Sequence, residues 1–477
     1  MVFSSHLFLF YFLPLALAGY YVAPRRLKHL VLTLFSYLFY GWANPYFIVL
    51  MLASTLVDYL CGLAIGGHGG LVPKDALRST LQKRALTVSI CANLGLLAFF
   101  KYFNFGIDSY NSLMRAVGLG DLEWDTFFRV TLPLGISFYT FQSMSYTIDV
   151  YRGDARAIRS FVDFACYVSM FPQLVAGPIV RFHEVAEQLV TRAHTLEKFA
   201  RGVAFISLGL AKKILVANAC GKVADVCFHA GAVQAVDAWY GLFGYAFQIY
   251  FDFSAYSDMA IGLGLMLGFV FPKNFDSPYR SESITEFWRR WHLSLSFWLR
   301  DYLYVPLGGN RKGPVRTYVN LATVMLLGGL WHGAAWNFAI WGGIHGAMLA
   351  FERMQGKDSF YRRAPRPIRI GLTFLIACIA WVFFRAPDPP SAFAYIQNLF
   401  GYGAAQEGME LVSGIIYQPY YALTMMLAVI LTWWAPQTWD FTRHLTWSKA
   451  LWCAAMLLLS LAVLATQAFN PFIYFIF

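Results

Sequence analysis

Charge is what this chain has least of. Asp, Glu, Lys and Arg together make up 13% of its 477 residues, against roughly a quarter in soluble globular chains. Hydrophobic residues reach 58%, aromatic residues 18%, and the mean hydropathy is +0.51. A water-soluble monomer of this composition would expose large apolar patches and aggregate, so soluble and disordered classes are excluded. The apolar residues come in long runs without the strict alternation of a barrel strand. The expectation is an all-α, polytopic integral membrane protein.

Other things are missing too. None of the seven cysteines makes a C-x-x-C or other metal-ligand spacing, which excludes a disulfide framework and a zinc site and leaves packing as their role. No metal ligand set and no bound cofactor is expected. The amino-terminal run MVFSSHLFLFYFLPLALAGYYV has neither a basic n-region nor an A-x-A exit, so it reads as an uncleaved first span. A G-x-S-x-G elbow, a P-loop, a dinucleotide G-x-G-x-x-G and an H-E-x-x-H are absent. No repeat of 20–50 residues is present, and low-complexity stretches are lacking.

Apolar runs near 5–22, 29–43, 46–66, 85–103, 130–150, 161–180, 202–225, 237–255, 256–271, 319–352, 369–386, 416–435 and 450–470 predict about eleven to fourteen transmembrane or re-entrant helices, in one integrated domain over 1–477. The net charge of +11 is scattered over short loops between these runs, a positive-inside bias and not a nucleic-acid surface. Loops 23–28, 67–84, 152–159, 273–318 and 353–369 are basic. Loops 104–129 (Asp108, Asp121, Glu123, Asp125) and 387–415 (Asp388, Glu407, Glu410) are acidic. The first set is therefore expected in the cytoplasm and the second outside, with both termini outside.

The 273–318 loop stands apart. Ser283-Ile284-Thr285-Glu286 reads as a capping box. Ile284, Phe287, Trp288, Trp291, Leu295, Trp298 and Tyr302 then recur at helical spacing. A basic amphipathic helix over 283–304, lying in the membrane interface with Trp on its apolar face, is predicted.

Ten histidines are present, and His6, His29, His68, His183, His194, His229 and His444 lie in or beside loops, where solvation is the default. His292 sits beside the aromatic stripe. His332 lies inside LATVMLLGGLWHGAAWNFAIWGGIHGAML, where an ionisable side chain is expensive and marks a functional site unless it is a hydrogen-bonded packing residue. Arg316 and Arg353 flank this stretch and are both expected in the cytoplasm. Too few residues separate them for two comfortable crossings of ~20 each. Paired or re-entrant helices over 319–352 are therefore expected, with an apex near Gly333–Asn337 and His332 close to it. Gly328, Gly329, Ala335, Ala339, Gly342 and Gly346 offer small surfaces for close helix approach. An imidazole at such an apex can act as a general base on a hydroxyl that attacks a thioester, or can itself be acylated. His345 reads as a packing or polar-network residue. Asp252 and Asp258 in YFDFSAYSDMAIGLG, with Ser254 and Ser257, either hold the arginines of 280–300 or contact substrate. Gln142 in GISFYTFQSMSYTIDVYRG is a similar, weaker candidate.

The segments MVFSSHLFLFYFLP, PLGISFYTFQSMSYTIDVYRGD, FPQLVAGPIVRF, YFDFSAYSDMAIGLG, SITEFWRRWHLSLSFWLRDYLYVPLGGNR and LLGGLWHGAAWNF, in this order, resemble the membrane-bound O-acyltransferase family over essentially the whole chain. The subgroup they look most like is the membrane subunit of alginate O-acetyltransferase. D-alanyl transferases of teichoic acid and acetylases of cellulose and peptidoglycan are near relatives. The resemblance implies that His332 is the catalytic histidine and His292 the second signature position. Donor or substrate contacts are expected among Trp331, Asn337, Arg289, Arg290, Asp252, Asp258 and Gln142. It further implies acetyl-CoA as a cytoplasmic acyl-donor substrate, passage of acetyl across a bacterial inner membrane, and a periplasmic SGNH-hydrolase-like partner that completes transfer to an exopolysaccharide. A reading from another class, a polysaccharide transporter or flippase, needs no bond making, and the lack of a visible inverted repeat weighs against it.

Overall fold

Long apolar runs with few Gly or Pro breaks leave the backbone no partner but itself in lipid, and helices are the result. In the computed structural model the described residues are 1–42, 44–67, 70–124, 128–356, 363–403, 409–467, 470 and 472–473; His68, Asp125 and Glu407 lie outside them. No strand occurs among these residues. Five helices are long and apolar enough to cross a membrane: Tyr46–Gly66, Thr80–Ala116, Leu196–His229, Arg366–Arg385 and Trp447–Thr466. Leu7–Val22 and Pro419–Trp433 are shorter apolar helices. The described part is an all-helical, multi-pass membrane protein.

The helices pack as two compact units. The first comprises Ser5–His194 with Leu267–Phe271. At its centre α1 (Tyr46–Gly66), α2 (Thr80–Leu97) and α3 (Ile136–Arg152) pack together. Asp58 of α1 ties the three: its carboxylate accepts hydrogen bonds from Ser89 and Asn93 of α2 and from Ser143 of α3. The expected span 161–180 is only a nine-residue helix, Phe161–Ser169, followed by the short turn Phe171–Leu174. Pro172 lies in that second piece and cannot continue the ladder of the first.

The second unit comprises Val2–Ser4, Thr195–Met266 and Pro272–Phe477. Its α4 (Leu196–Ala211) and α5 (Asn218–His229) pack on α6 (Ala235–Met266). Two spans, 237–255 and 256–271, were expected here, but α6 is one helix of 32 residues. Its polar patch does not interrupt it because each carboxylate meets a lysine: Asp252 pairs with Lys213 at 2.8 Å and Asp258 with Lys212 at 2.7 Å. Backbone approach between α4 and α6 is close enough that a Cβ on Gly202 would lie 2.6 Å from the carbonyl oxygen of Gly262.

The interfacial helix expected over 283–304 is broken in two. α7 (Ile284–Trp288) and α8 (Leu293–Leu299) are separated at His292, whose φ is +44°. The apolar stripe faces protein and not lipid: Ile284, Phe287, Trp291, Leu295, Trp298 and Tyr302 are all buried. Helical periodicity reports a buried face without saying what buries it, and here the partner is the rest of this unit. Half of the capping box forms, since Ser283 Oγ accepts the N–H of Glu286. The remaining donors of that first turn, the N–H groups of Ile284 and Thr285, are taken by Glu352, far along the chain.

Beyond them α9 (Gly313–His332) and α10 (Trp336–Gln355) form a hairpin of two 20-residue helices, closed by Gly333–Ala335. A Cβ on Gly329 would lie 2.2 Å from the Phe338 carbonyl oxygen, and one on Gly342 2.3 Å from that of Met325. These two glycines let the helices meet backbone to backbone. Then α11 (Arg366–Arg385), α12 (Pro419–Trp433) and α13 (Trp447–Thr466) complete the unit.

Candidate active site

His332 is the last residue of α9, so its imidazole stands where the helix stops and the hairpin turns. The turn needs Gly333, because a Cβ there would collide with the Phe338 ring at 1.9 Å. His292 arrives from the break between α7 and α8. The two imidazoles meet edge to face with ring centroids 6.2 Å apart. His292 is fully buried, whereas His332 keeps 7% of its surface.

Aromatic rings wall the pair. Trp331, Trp341 and Phe384 surround His332 at centroid distances of 5.1, 5.3 and 5.3 Å. Phe253 of α6 and Trp331 lie 4.7 and 6.0 Å from His292. Such walls exclude water and strengthen any electrostatic interaction made between them.

The tautomer of His292 follows from its neighbour Asn274. Oδ1 of Asn274 accepts the backbone N–H and the hydroxyl of Ser294 at 3.3 and 2.9 Å. That oxygen lies 3.2 Å from His292 Nδ1, so Nδ1 carries the hydrogen and donates it. Nε2 then holds the lone pair, and it makes no hydrogen bond to the described protein. Burial pushes the His292 imidazole down to about 3, which keeps it neutral. The left-handed turn at His292 is itself held by Asn274, whose carbonyl oxygen accepts the N–H of Leu293 at 2.9 Å. Asn274 is a site residue that the sequence does not single out: it lies in the non-periodic run FPKNFDSPYR, and nothing but the fold brings it under His292.

The other candidates separate. Trp331 lines the chamber. Asn337 donates Nδ2–H to the carbonyl oxygen of Ala386 at 2.6 Å and so fastens α10 to the end of α11. Arg289 is exposed, whereas Arg290 pairs with Glu286 at 2.8 Å and donates to the carbonyl oxygen of Asp276. Asp252 and Asp258 hold lysines and not the arginines of 280–300. Gln142 belongs to the first unit, buried on α3 with neither side-chain amide atom hydrogen-bonded to the described residues. Among the described residues no three His, Cys, Asp or Glu side chains converge on a common point that would hold a metal.

The arrangement is two apposed imidazoles walled by aromatic rings, one of them neutral with an oriented lone pair. It is equipped for proton transfer to or from a hydroxyl, or for nucleophilic attack on an acyl carbon.

Comparison with known proteins gives this chemistry a setting. The signature of the membrane-bound O-acyltransferase family matches residues 76–386, which include both histidines. A probable alginate O-acetylase of Pseudomonas putida is 43% identical over the full length of both chains. Another from Pseudomonas aeruginosa is 46% identical over 85% of this chain and 76% of its own. A peptidoglycan O-acetyltransferase of Helicobacter pylori is 34% identical over 84% of this chain and 80% of its own. The chain therefore belongs to the membrane-bound O-acyltransferase family and is an integral membrane O-acyltransferase.

Proposed function

We propose that this enzyme takes acetyl from acetyl-CoA on the cytoplasmic side of a bacterial inner membrane and passes it outward for O-acetylation of alginate. A periplasmic SGNH-hydrolase-like partner delivers it to the polymer. The observation that carries the reading is the apposition of His332 and the neutral, Asn274-oriented His292 inside an aromatic chamber. Support for the polymer comes from the relatives named as probable alginate O-acetylases. Support for sidedness comes from the basic loops around 273–318 and 353–369, which the positive-inside rule assigns to the cytoplasm.

In this mechanism a hydroxyl of the acceptor attacks the thioester carbonyl while His332 takes its proton. The tetrahedral intermediate expels the thiolate of CoA by breaking the C–S bond, and the thiolate is protonated as it leaves. His292, through the Nε2 lone pair, accepts a hydrogen bond from the attacking hydroxyl or from imidazolium at His332. Exclusion of water by the tryptophans keeps the thioester from hydrolysis.

The test uses purified full-length protein in detergent, radiolabelled acetyl-CoA, and an acceptor. CoA release that depends on acceptor, with label covalently on the acceptor, is the expected result. Label that moves across a vesicle membrane with no CoA released would identify a carrier and overturn the reading. An acceptor-free label on the protein that is lost in acid and in hydroxylamine, and absent from His332→Ala, would replace the general-base route by an acyl-histidine.

A further inference from the structure

One buried imidazole of the second unit has no part in the chemistry above. His345 of α10 is fully buried, yet neither Nδ1 nor Nε2 makes a hydrogen bond to the described protein. Three rings enclose it. Phe287 stacks on it at 6.0 Å between centroids, Trp288 meets it edge to face at 5.2 Å, and Trp341 at 4.9 Å. Trp288 and Trp341 are themselves 5.6 Å apart, so His345 and the two indoles form a closed triangle. Both indole Nε1 atoms are buried and make no hydrogen bond to the described protein either.

Buried polar atoms are nearly always paired, because leaving one unmade forfeits its hydration with nothing in return. Four such atoms on three touching rings are a built feature. Their chemistry is uneven: each indole can only donate, and a neutral imidazole donates once and accepts once. The triangle therefore offers three donors and one acceptor. Among the described residues no lysine or arginine lies over its rings, and aromatic walls do not suit an anion. The nearest carboxylate of α10, Glu352, is committed to the N–H groups of Ile284 and Thr285. A neutral group with a carbonyl oxygen and an N–H, an amide, can take two of the three donors and fill the acceptor. Trp341 also packs edge to face on His332 at 5.3 Å, so the triangle lies one indole from the acyl-transfer centre.

We propose that His345, Trp288 and Trp341 form a subsite for the amide-bearing arm of the acyl-thioester donor, holding it while its thioester reaches His332. This deepens the acyltransferase reading and rests on its thioester donor.

Two small neutral donors separate the contributions: S-acetyl-N-acetylcysteamine, which keeps an amide, and the S-acetyl alkanethiol of equal length, which lacks it. Full-length wild-type protein should prefer the first by at least about tenfold in kcat/KM, since a site left with unpaired polar groups rejects the analogue that cannot fill them. His345→Phe should bring the preference close to unity through donor KM, with kcat for the alkyl thioester little changed. Trp288→Phe, which keeps a ring and removes only the N–H, should reduce it in part and serves if His345→Phe does not fold. Activity on both donors with no wild-type preference overturns the subsite alone. So does a preference that survives in folded His345→Phe, or in Trp288→Phe where that is the variant read. Wild-type protein inert towards both thioesters overturns the donor reading, and the subsite with it.

Discussion

Oδ1 of Asn274 sits 3.2 Å from Nδ1 of His292 and also receives the N–H and hydroxyl of Ser294. That side-chain oxygen fixes the tautomer of an imidazole, and the backbone carbonyl of the same residue, accepting the N–H of Leu293, holds the left-handed turn that presents it. The lone pair at Nε2 and the direction it points are consequences of Asn274, a residue with no chemistry of its own.

Asn274→Ala should lower acetyl transfer by ~10²-fold, the lower end of what a positioned base supplies. Asn274→Asp keeps an acceptor for Nδ1–H and for Ser294 and should recover part of that loss. The measurement is turnover per molecule of monodisperse protein, beside its melting temperature. Equal loss in both variants, one of which keeps shape and acceptor, would show that the accepted hydrogen bond is not what orients His292.

His332→Ala should abolish transfer, by 10²–10⁴-fold or more, while the protein stays inserted and monodisperse. His292→Ala should be comparable if its Nε2 lies in the proton path and milder if it only orients a group. Near-normal turnover in folded His332→Ala would remove the catalytic assignment and leave the family intact.

His292 carries a pH signature in stability. Its folded value is depressed from 6.5 to about 3 by burial, so below 6.5 the unfolded chain binds a proton that the folded one refuses. Stability should therefore fall as pH falls from 6.5 towards 3, with this contribution fully present above 6.5. Melting temperatures of wild type and His292→Gln across that window check it: the acid slope should be shallower in the variant. Parallel slopes would mean that His292 is hydrated or protonated in the folded protein.

Arg289 is exposed beside Arg290, which is engaged with Glu286. Arg289→Ala should raise the apparent KM for acetyl-CoA severalfold at low salt, with the effect shrinking in high salt as exposed charges are screened. Arg290→Ala should instead lower stability by breaking its tie to Glu286 and Asp276. A donor KM indifferent to Arg289→Ala at every ionic strength would leave that arginine as a membrane anchor.

Topology is open to labelling. In a cysteine-free background Asp121→Cys should react with an impermeant thiol reagent from outside, and Arg311→Cys only from the cytoplasm. The reverse pattern would invert the orientation and place the donor on the wrong face.

The class of this protein was legible in its composition, because a chain with 13% charge cannot coat a water-facing surface. His332 stood out as a candidate because an ionisable residue in an apolar run is costly, and the structure brings it beside His292. The hairpin apex followed from counting residues between Arg316 and Arg353. What the pattern could not say is what buries a stripe. The 283–304 segment has the periodicity of one helix, yet it breaks at His292, where Asn274 accepts the N–H groups of Leu293 and Ser294 that a continuous helix would pair internally. Likewise Asp252 and Asp258 looked like partners for arginine, and Lys212 and Lys213 hold them, because α4 and α6 meet at glycines that sequence spacing does not pair. Helix periodicity and hydropathy are local and survive in a list of residues. Hydrogen-bond partners of a broken turn, the tautomer of His292, and the orphaned nitrogens around His345 depend on which distant backbones approach, and only the packed tertiary structure decides that.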